Sequence, residues 1–243
     1  MKFNAFWVEK TESGFERSII ERDVDELPEG DVVIDVAYSS LNYKDGLSAS
    51  GSPGVTRNYP HTPGIDAAGT VAESSSAKFS QGDEVIVIGF DLGMNTSGGF
   101  GAKIRVPSDW VVKMPDGLDL RSSMIIGTAG FTAAECIQKL ELAGLSKDAG
   151  PVLVTGATGG VGSVAVKLLA QMGHEVHAVT GKSDKKDFLV SLGASEVLSR
   201  DQIMEGLEKP LLKETWAGVV DTVGGDMLFN ALKSLRYGGS LAA

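Results

Sequence analysis

An apolar run, Val152-Leu-Val-Thr, enters the glycine-rich stretch Gly156-Ala-Thr-Gly-Gly-Val-Gly162 and leaves it in a segment of helical spacing from Val161 to Met172. That order constrains the fold more than any other feature of the chain. A strand ends where the side chains vanish, and a helix begins against it. Ala157, Gly159 and Gly162 stand at the three positions of the G-x-G-x-x-G pattern, with alanine in place of the first glycine. Gly159 lets the backbone approach a bound group, Gly162 lets the helix lie close to the strand, and the free amides at the helix start attract an anion. The pattern predicts that Ala157, Thr158, Gly159, Gly160, Val161 and Gly162 cradle the diphosphate of a dinucleotide.

Strands and helices alternate around this turn. The expected strands are Pro151 to Gly156, Glu175 to Thr180, Glu196 to Ser199, Ala217 to Val223 and the segment opening at Gly239; the expected helices are Val161 to Met172, Lys185 to Leu192 and Met227 to Leu235. Such an order gives a parallel sheet with right-handed crossovers, an α/β fold of the doubly wound Rossmann type. Ahead of it, the run from Met124 rich in Ala, Gly and Thr has helical spacing at Phe131, Ile137, Leu140 and Leu142. The first half reads differently. Asp31 to Ser39 alternates apolar and polar residues, Asp83 to Gly89 is a short β-rich run, and Ile65 to Val71 is a strand of small residues that another backbone can approach.

The second strand ends Thr180-Gly181-Lys182. A turn selective for NAD carries Asp or Glu there to hold the ribose hydroxyls, whereas a hydroxyl, a glycine and a cation suit a 2′-phosphate. Arg200, just past the third strand, is a candidate second cation, with a surface role as its alternative. Asp184 lies beyond the strand end in a lysine-rich loop and is expected to be solvated. The cofactor expected is therefore NADPH. A short-chain dehydrogenase reading of Thr155-Gly156, Gly160 and Gly162 needs a Tyr-x-x-x-Lys pair downstream; Tyr237 is the only later tyrosine and no lysine follows it. The glycines of Val220-Asp-Thr-Val-Gly-Gly225 either turn the chain into the next helix or place Thr222 and Val223 beside the cofactor, at the carboxyl edge of the sheet.

Composition removes several classes. The formal net charge is −10, which disfavours nucleic-acid binding because phosphate backbones reward clustered Lys and Arg. Cys136 is the only cysteine, so no intrachain disulfide and no cysteine-rich zinc lobe can form. Met1 to Lys10 is too short and polar for a secretion signal, and no apolar run approaches the ~20 residues of a membrane helix, so a soluble cytoplasmic protein without membrane partners is expected.

A β-rich first half joined to a dinucleotide fold by Gly127-Thr-Ala-Gly-Phe-Thr-Ala133 resembles the medium-chain dehydrogenase/reductases. Within them, Ser39-Ser-Leu-Asn-Tyr-Lys-Asp45, Pro63-Gly-Ile-Asp-Ala-Ala-Gly69 and Met124 to Ala133 look like the acryloyl-CoA reductase and quinone oxidoreductase branch. The resemblance implies a GroES-like domain over residues 1–125 and a Rossmann NADP-binding domain over 126–243, C-terminally incomplete because a six-stranded domain needs one more strand after Ala243. It implies reduction of the C=C bond of a short enoyl-CoA by NADPH, with a quinone as the rival substrate, a nucleotide-binding chain without catalysis as the reading from another class, and homodimers for full-length members. Zinc-dependent members carry a cysteine ahead of the NYKD region and a Gly-His-Glu motif where this chain has Gly64-Ile65-Asp66, so no metal is expected; His61, His174 and His177 are read as packed or surface residues.

Without a metal, the enolate charge has to be met by other donors. Asn42 and Tyr43 are the candidate catalytic residues, Asn42 orienting substrate or nicotinamide through its amide and Tyr43 contacting the cofactor or supplying a proton, against a packed aromatic as its bland alternative. Thr128 is expected near the nicotinamide or as a helix N-cap. Lys44 and Asp45 are expected to pair or to cap the next helix, with Asp45 structural.

Overall fold

The structure, a computed structural model, describes residues 1–243. The chain divides into two compact units, Met1–Thr128 and Ala129–Ala243.

In the first unit, β1 (Lys2–Thr11) and β2 (Gly14–Asp23) form an antiparallel hairpin. Then come β3 (Val32–Tyr38), α1 (Tyr43–Ala49), β4 (Asp66–Ser74), β5 (Glu84–Ile88), β6 (Lys103–Val106) and β7 (Val111–Lys113). The last five strands make an antiparallel sheet in the order β6-β3-β4-β5-β7. The alternation expected for β3 fails at its start, where Val32, Val33 and Ile34 are all buried. Both faces are covered there: Val32 and Ile34 pack with Val71, Val85, Val87 and Ile104, while Val33 packs with Phe3 and Ala5 of β1. A strand clad on both faces reads as a continuous apolar run.

The helical stretch α2 (Leu120–Leu142) begins four residues before Met124 and is broken at Gly127 (φ 48, ψ −159), where the first unit closes. It is longer than the composition shift at Met124 indicates, because Asp119 caps its start: the carboxylate accepts from the Ser122 amide at 2.8 Å and the Ser122 hydroxyl at 2.7 Å.

The second unit carries β8 (Val152–Val154), α3 (Gly160–Gln171), β9 (Val176–Thr180), α4 (Lys186–Leu192), β10 (Glu196–Ser199), α5 (Arg200–Met204), β11 (Trp216–Val220), α6 (Gly225–Lys233) and β12 (Leu235–Ala242). All five strands are parallel, in the order β10-β9-β8-β11-β12. Period-two geometry sends Val152, Val154 and Val220 to one face, against Ile137, Leu140, Ala165, Val166, Leu169 and Leu189, and sends Leu153, Val179 and Val219 to the other, against Met227 and Ala231. The expected strand Ala217 to Val223 stops at Val220. Asp221 accepts a hydrogen bond from the Gly224 amide at 2.7 Å, which turns the chain before the strand can continue. No helix is long and apolar enough to cross a membrane.

Leu169 is fully buried between α3 and the sheet. Leu169→Ala is expected to lower unfolding free energy by about 2–5 kcal/mol, the cost of lost burial plus a residual cavity. Urea titration followed by circular dichroism checks this, and a loss below about 1 kcal/mol would mean that the site collapses around the smaller side chain.

Candidate cofactor and active site

In the second unit, β8 ends in a turn that leads directly into α3, whose N-cap is Gly159. A Cβ at Gly162 would lie 2.8 Å from the Ala157 Cα and collide with the Gly156 carbonyl, so only glycine lets the helix start this close to the strand end. Ala157 is buried and its amide donates to the Val179 carbonyl at 3.0 Å, tying the turn to β9. Gly159 and Gly160 are exposed. The first amides of a helix have no acceptor within it, so those of Gly160, Val161 and Gly162 are free to meet an anion.

The neighbouring strand ends are bound to this turn. The Thr158 and Thr180 hydroxyls lie 3.3 Å apart, and the Thr180 hydroxyl accepts from the Lys182 amide at 3.0 Å. Beyond them lies a cavity of about 420 Å³ whose walls include Thr180, Gly181 and Arg200. Asp184, the carboxylate nearest in sequence to the strand end, pairs with Lys185 at 3.2 Å and is largely exposed, while Asp201 shares the cavity wall. On the other side of the turn, the buried Asp221 accepts from the Thr155 hydroxyl at 2.5 Å, the Thr155 hydroxyl accepts from the Thr222 amide at 3.0 Å, and the Thr222 hydroxyl donates to the Thr155 carbonyl at 2.9 Å. These bonds fix Thr222 and Val223, both exposed, at the carboxyl end of β11.

The first unit holds a second constellation, centred on Asp66, which in sequence is only a departure from a metal-binding motif. Asp66 is fully buried. Its carboxylate accepts from the Asn42 side-chain amide at 3.0 Å, the Thr128 backbone amide at 3.0 Å and the Thr128 hydroxyl at 2.5 Å, and its carbonyl accepts from the Ser39 hydroxyl at 2.7 Å. A Cβ at Gly127 would sit 2.7 Å from the Asp66 carboxylate and 2.6 Å from the Ser40 hydroxyl, which together with its positive φ explains the glycine. Asp66 thus caps the helix that resumes at Thr128, a role that sequence reading offered to Thr128 itself.

Asp45 is also buried, and the structure separates the two readings given for it. It is the third residue of α1, with Asn42 at the N-cap; its carboxylate accepts from the Asn42 backbone amide at 2.8 Å and the Ile65 amide at 2.9 Å, and it makes no ion pair with Lys44. Burial pushes its carboxyl above the ordinary carboxylate value, opposed by the amides of Asn42 and Ile65. Asn42 and Thr128 are therefore brought together by Asp66. Tyr43 is not packed: it is 85% exposed, as is Leu41 beside it at 89%.

The histidines lie apart from these groups. A ring nitrogen of the buried His61 meets the Gly93 carbonyl at 2.9 Å, and burial holds its imidazole below the ordinary histidine value. His177 sits 2.9 Å from Glu175, and His174 is buried in the turn after α3.

Residues 28–116 match the family profile described as the alcohol dehydrogenase GroES-like domain, and residues 160–243 match the profile described as zinc-binding dehydrogenase. The acrylyl-CoA reductase AcuI of Ruegeria pomeroyi is 49% identical over 243 residues, covering 99% of this chain and 74% of that protein. The putative quinone oxidoreductase YhfP of Bacillus subtilis is 46% identical over 240 residues, covering 99% and 73%. The crystal structure of Escherichia coli K-12 YhdH with bound NADPH superimposes with a TM-score of 0.94 at 48% identity, covering 98% of this chain and 73% of that one.

Two outcomes follow from the buried groups. Asp66→Ala leaves the Asn42 and Thr128 donors without their acceptor, at about 1–3 kcal/mol for each buried unsatisfied group, so chemical denaturation should report a loss of roughly 3 kcal/mol or more. A loss under about 1 kcal/mol would mean that water replaces the carboxylate. For His61 the folded value lies below the unfolded one, so the unfolded chain binds more protons; stability is fully present above about pH 6.5 and is lost as pH falls below it. His61→Gln should flatten that slope in denaturation midpoints measured between about pH 5 and 8, whereas an unchanged slope would contradict the assignment.

Proposed function

The chain belongs to the medium-chain dehydrogenase/reductase family, and on that premise we propose that it reduces the C=C bond of a short enoyl-CoA such as acryloyl-CoA with NADPH, without zinc. The observation that carries the cofactor assignment is the turn: a helix start with free amides, cleared by Gly162, next to a cavity walled by Thr180, Gly181 and Arg200 and free of any NAD-type carboxylate at the strand end. These residues fit a dinucleotide that bears an additional phosphate. The substrate assignment is supported by the name of the Ruegeria relative.

NADPH supplies a hydride when bound. In this reading Ala157 to Gly162 hold its diphosphate, Thr180, Gly181, Lys182 and Arg200 hold its 2′-phosphate, and Thr222 and Val223 border its nicotinamide end. Asn42 has one amide proton committed to Asp66, which fixes the side chain that would orient substrate or carboxamide. Thr128 has its hydroxyl proton committed in the same way, so it can only accept. A donor held like Asn42 is worth about 3 kcal/mol when it faces the oxygen on which charge develops, because its orientation is set before reaction. Tyr43 offers an exposed hydroxyl that either contacts the cofactor or delivers the α-proton. Zinc is left out of this reading because Ile65 and Asp66 stand where zinc-dependent members have His and Glu, and the His61 ring faces a backbone carbonyl. The Bacillus relative's name supports the second reading, hydride donation to a quinone.

NADPH oxidation by the purified chain is the test. With acryloyl-CoA, kcat/KM is expected to exceed that with a simple quinone by about tenfold or more, and NADH is expected to be the poorer donor by a similar factor. Equal or higher efficiency with the quinone would replace the enoyl-CoA reading with the second one, and equal use of NADH would remove the 2′-phosphate assignment. Tyr43→Phe should lower kcat by about 10²-fold if the hydroxyl is the acid. Unchanged turnover with intact NADPH binding would leave it a cofactor contact at most.

A further inference from the structure

Lys182 is the cation that the strand-end motif offers to a 2′-phosphate, yet it is not on the wall of the cavity that adjoins Thr180 and Gly181. The walls of that cavity, of about 420 Å³, include Thr180, Gly181, Ser183, Lys186, Ser199 and Arg200. Lys186 opens α4 and its ammonium enters no ion pair, nor does the Arg200 guanidinium. Two cations thus share one cavity wall in a chain of net charge −10. Asp201 shares the wall, which nevertheless remains net positive, and the nearby Asp184 is neutralised by Lys185. Val197, Leu198 and Gln202 complete the lining. A phosphate monoester carries about −1.5 to −2 charges and three strong acceptor oxygens, which is the chemistry such a wall recognises.

Arg200 is held there by a glycine. A Cβ on Gly181 would stand 2.9 Å from Arg200 Nε and 3.2 Å from its Cδ and Cζ, so the guanidinium arm lies across the bare Cα. Gly181 does not have a left-handed φ, so alanine fits its backbone and would displace the arginine arm rather than the main chain.

We propose that Lys186 is a further ligand of the cofactor's 2′-phosphate, and that Gly181 is a positioning residue that acts on the same phosphate by seating Arg200. The proposal rests on the NADPH reading above and adds two determinants of NADP selectivity that the strand-end motif does not single out for these roles. Calorimetric titration with 2′,5′-ADP and with 5′-AMP isolates the phosphate from the rest of the cofactor. Lys186→Gln is expected to weaken 2′,5′-ADP by about tenfold and leave 5′-AMP unchanged, as loss of one charge-assisted contact requires. Gly181→Ala should weaken 2′,5′-ADP about as much as Arg200→Ala does, and the double variant should be no weaker than Arg200→Ala alone, since both act through one side chain. A Lys186→Gln protein that binds 2′,5′-ADP as wild type does, or additive losses in the double variant, would overturn the respective assignment while wild-type binding of NADPH leaves the cofactor reading standing. Wild-type protein that binds neither NADPH nor 2′,5′-ADP would overturn both.

Discussion

The second unit depends on how closely α3 approaches β8. Glycine at 162 removes the one atom that would strike the Gly156 carbonyl, and with that contact permitted the helix starts directly over the strand end. The consequences run through the unit. Val166 and Leu169 of α3 reach Val152 and Val154 of β8 and close one face of the sheet. The turn's Ala157 amide pairs with β9 and its Thr155 hydroxyl with Asp221 after β11, so both neighbouring strand ends are set relative to the helix start. The same approach leaves the first helical amides without an acceptor inside the helix, where fold and binding chemistry coincide.

The first unit is organised by a polar interaction instead. A buried carboxylate is costly unless its oxygens are saturated with donors. Asp66 meets that condition with Asn42 and Thr128, and its demand for space is met by Gly127. Asp45 repeats the logic, with amides of Asn42 and Ile65 offsetting its burial. Asn42 is held by both acids, through its side chain by Asp66 and through its backbone by Asp45. That leaves Tyr43 and Leu41 as exposed groups next to a rigid one.

The sequence made β8, β9 and β11 legible because each is a short apolar run, whereas β12, which opens at Leu235 rather than Gly239, and the short α5 carry no such signal; the glycine pattern falls, as expected, at a strand-to-helix junction. Strand ends were less legible, since Asp221 terminates β11 through a side-chain hydrogen bond that spacing does not reveal. Asp66 was visible only as a departure from a metal-binding motif, because its donors Asn42 and Thr128 are 24 and 62 residues away in sequence. Lys186 was indistinguishable from its neighbours Lys182 and Lys185 in a lysine-rich loop. Only folding sorts these three, pairing Lys185 with Asp184 and turning Lys186 to the cavity.

Turn, strand ends and cavity converge on where a reduced dinucleotide lodges. A crystal structure of this chain with NADPH is the most direct measurement. Density is expected for the diphosphate over the amides of Gly160 to Gly162, with the adenosine phosphate among Thr180, Lys182, Lys186 and Arg200. Density for the diphosphate at any other surface, or a turn closed by protein atoms and empty at saturating cofactor, would contradict it.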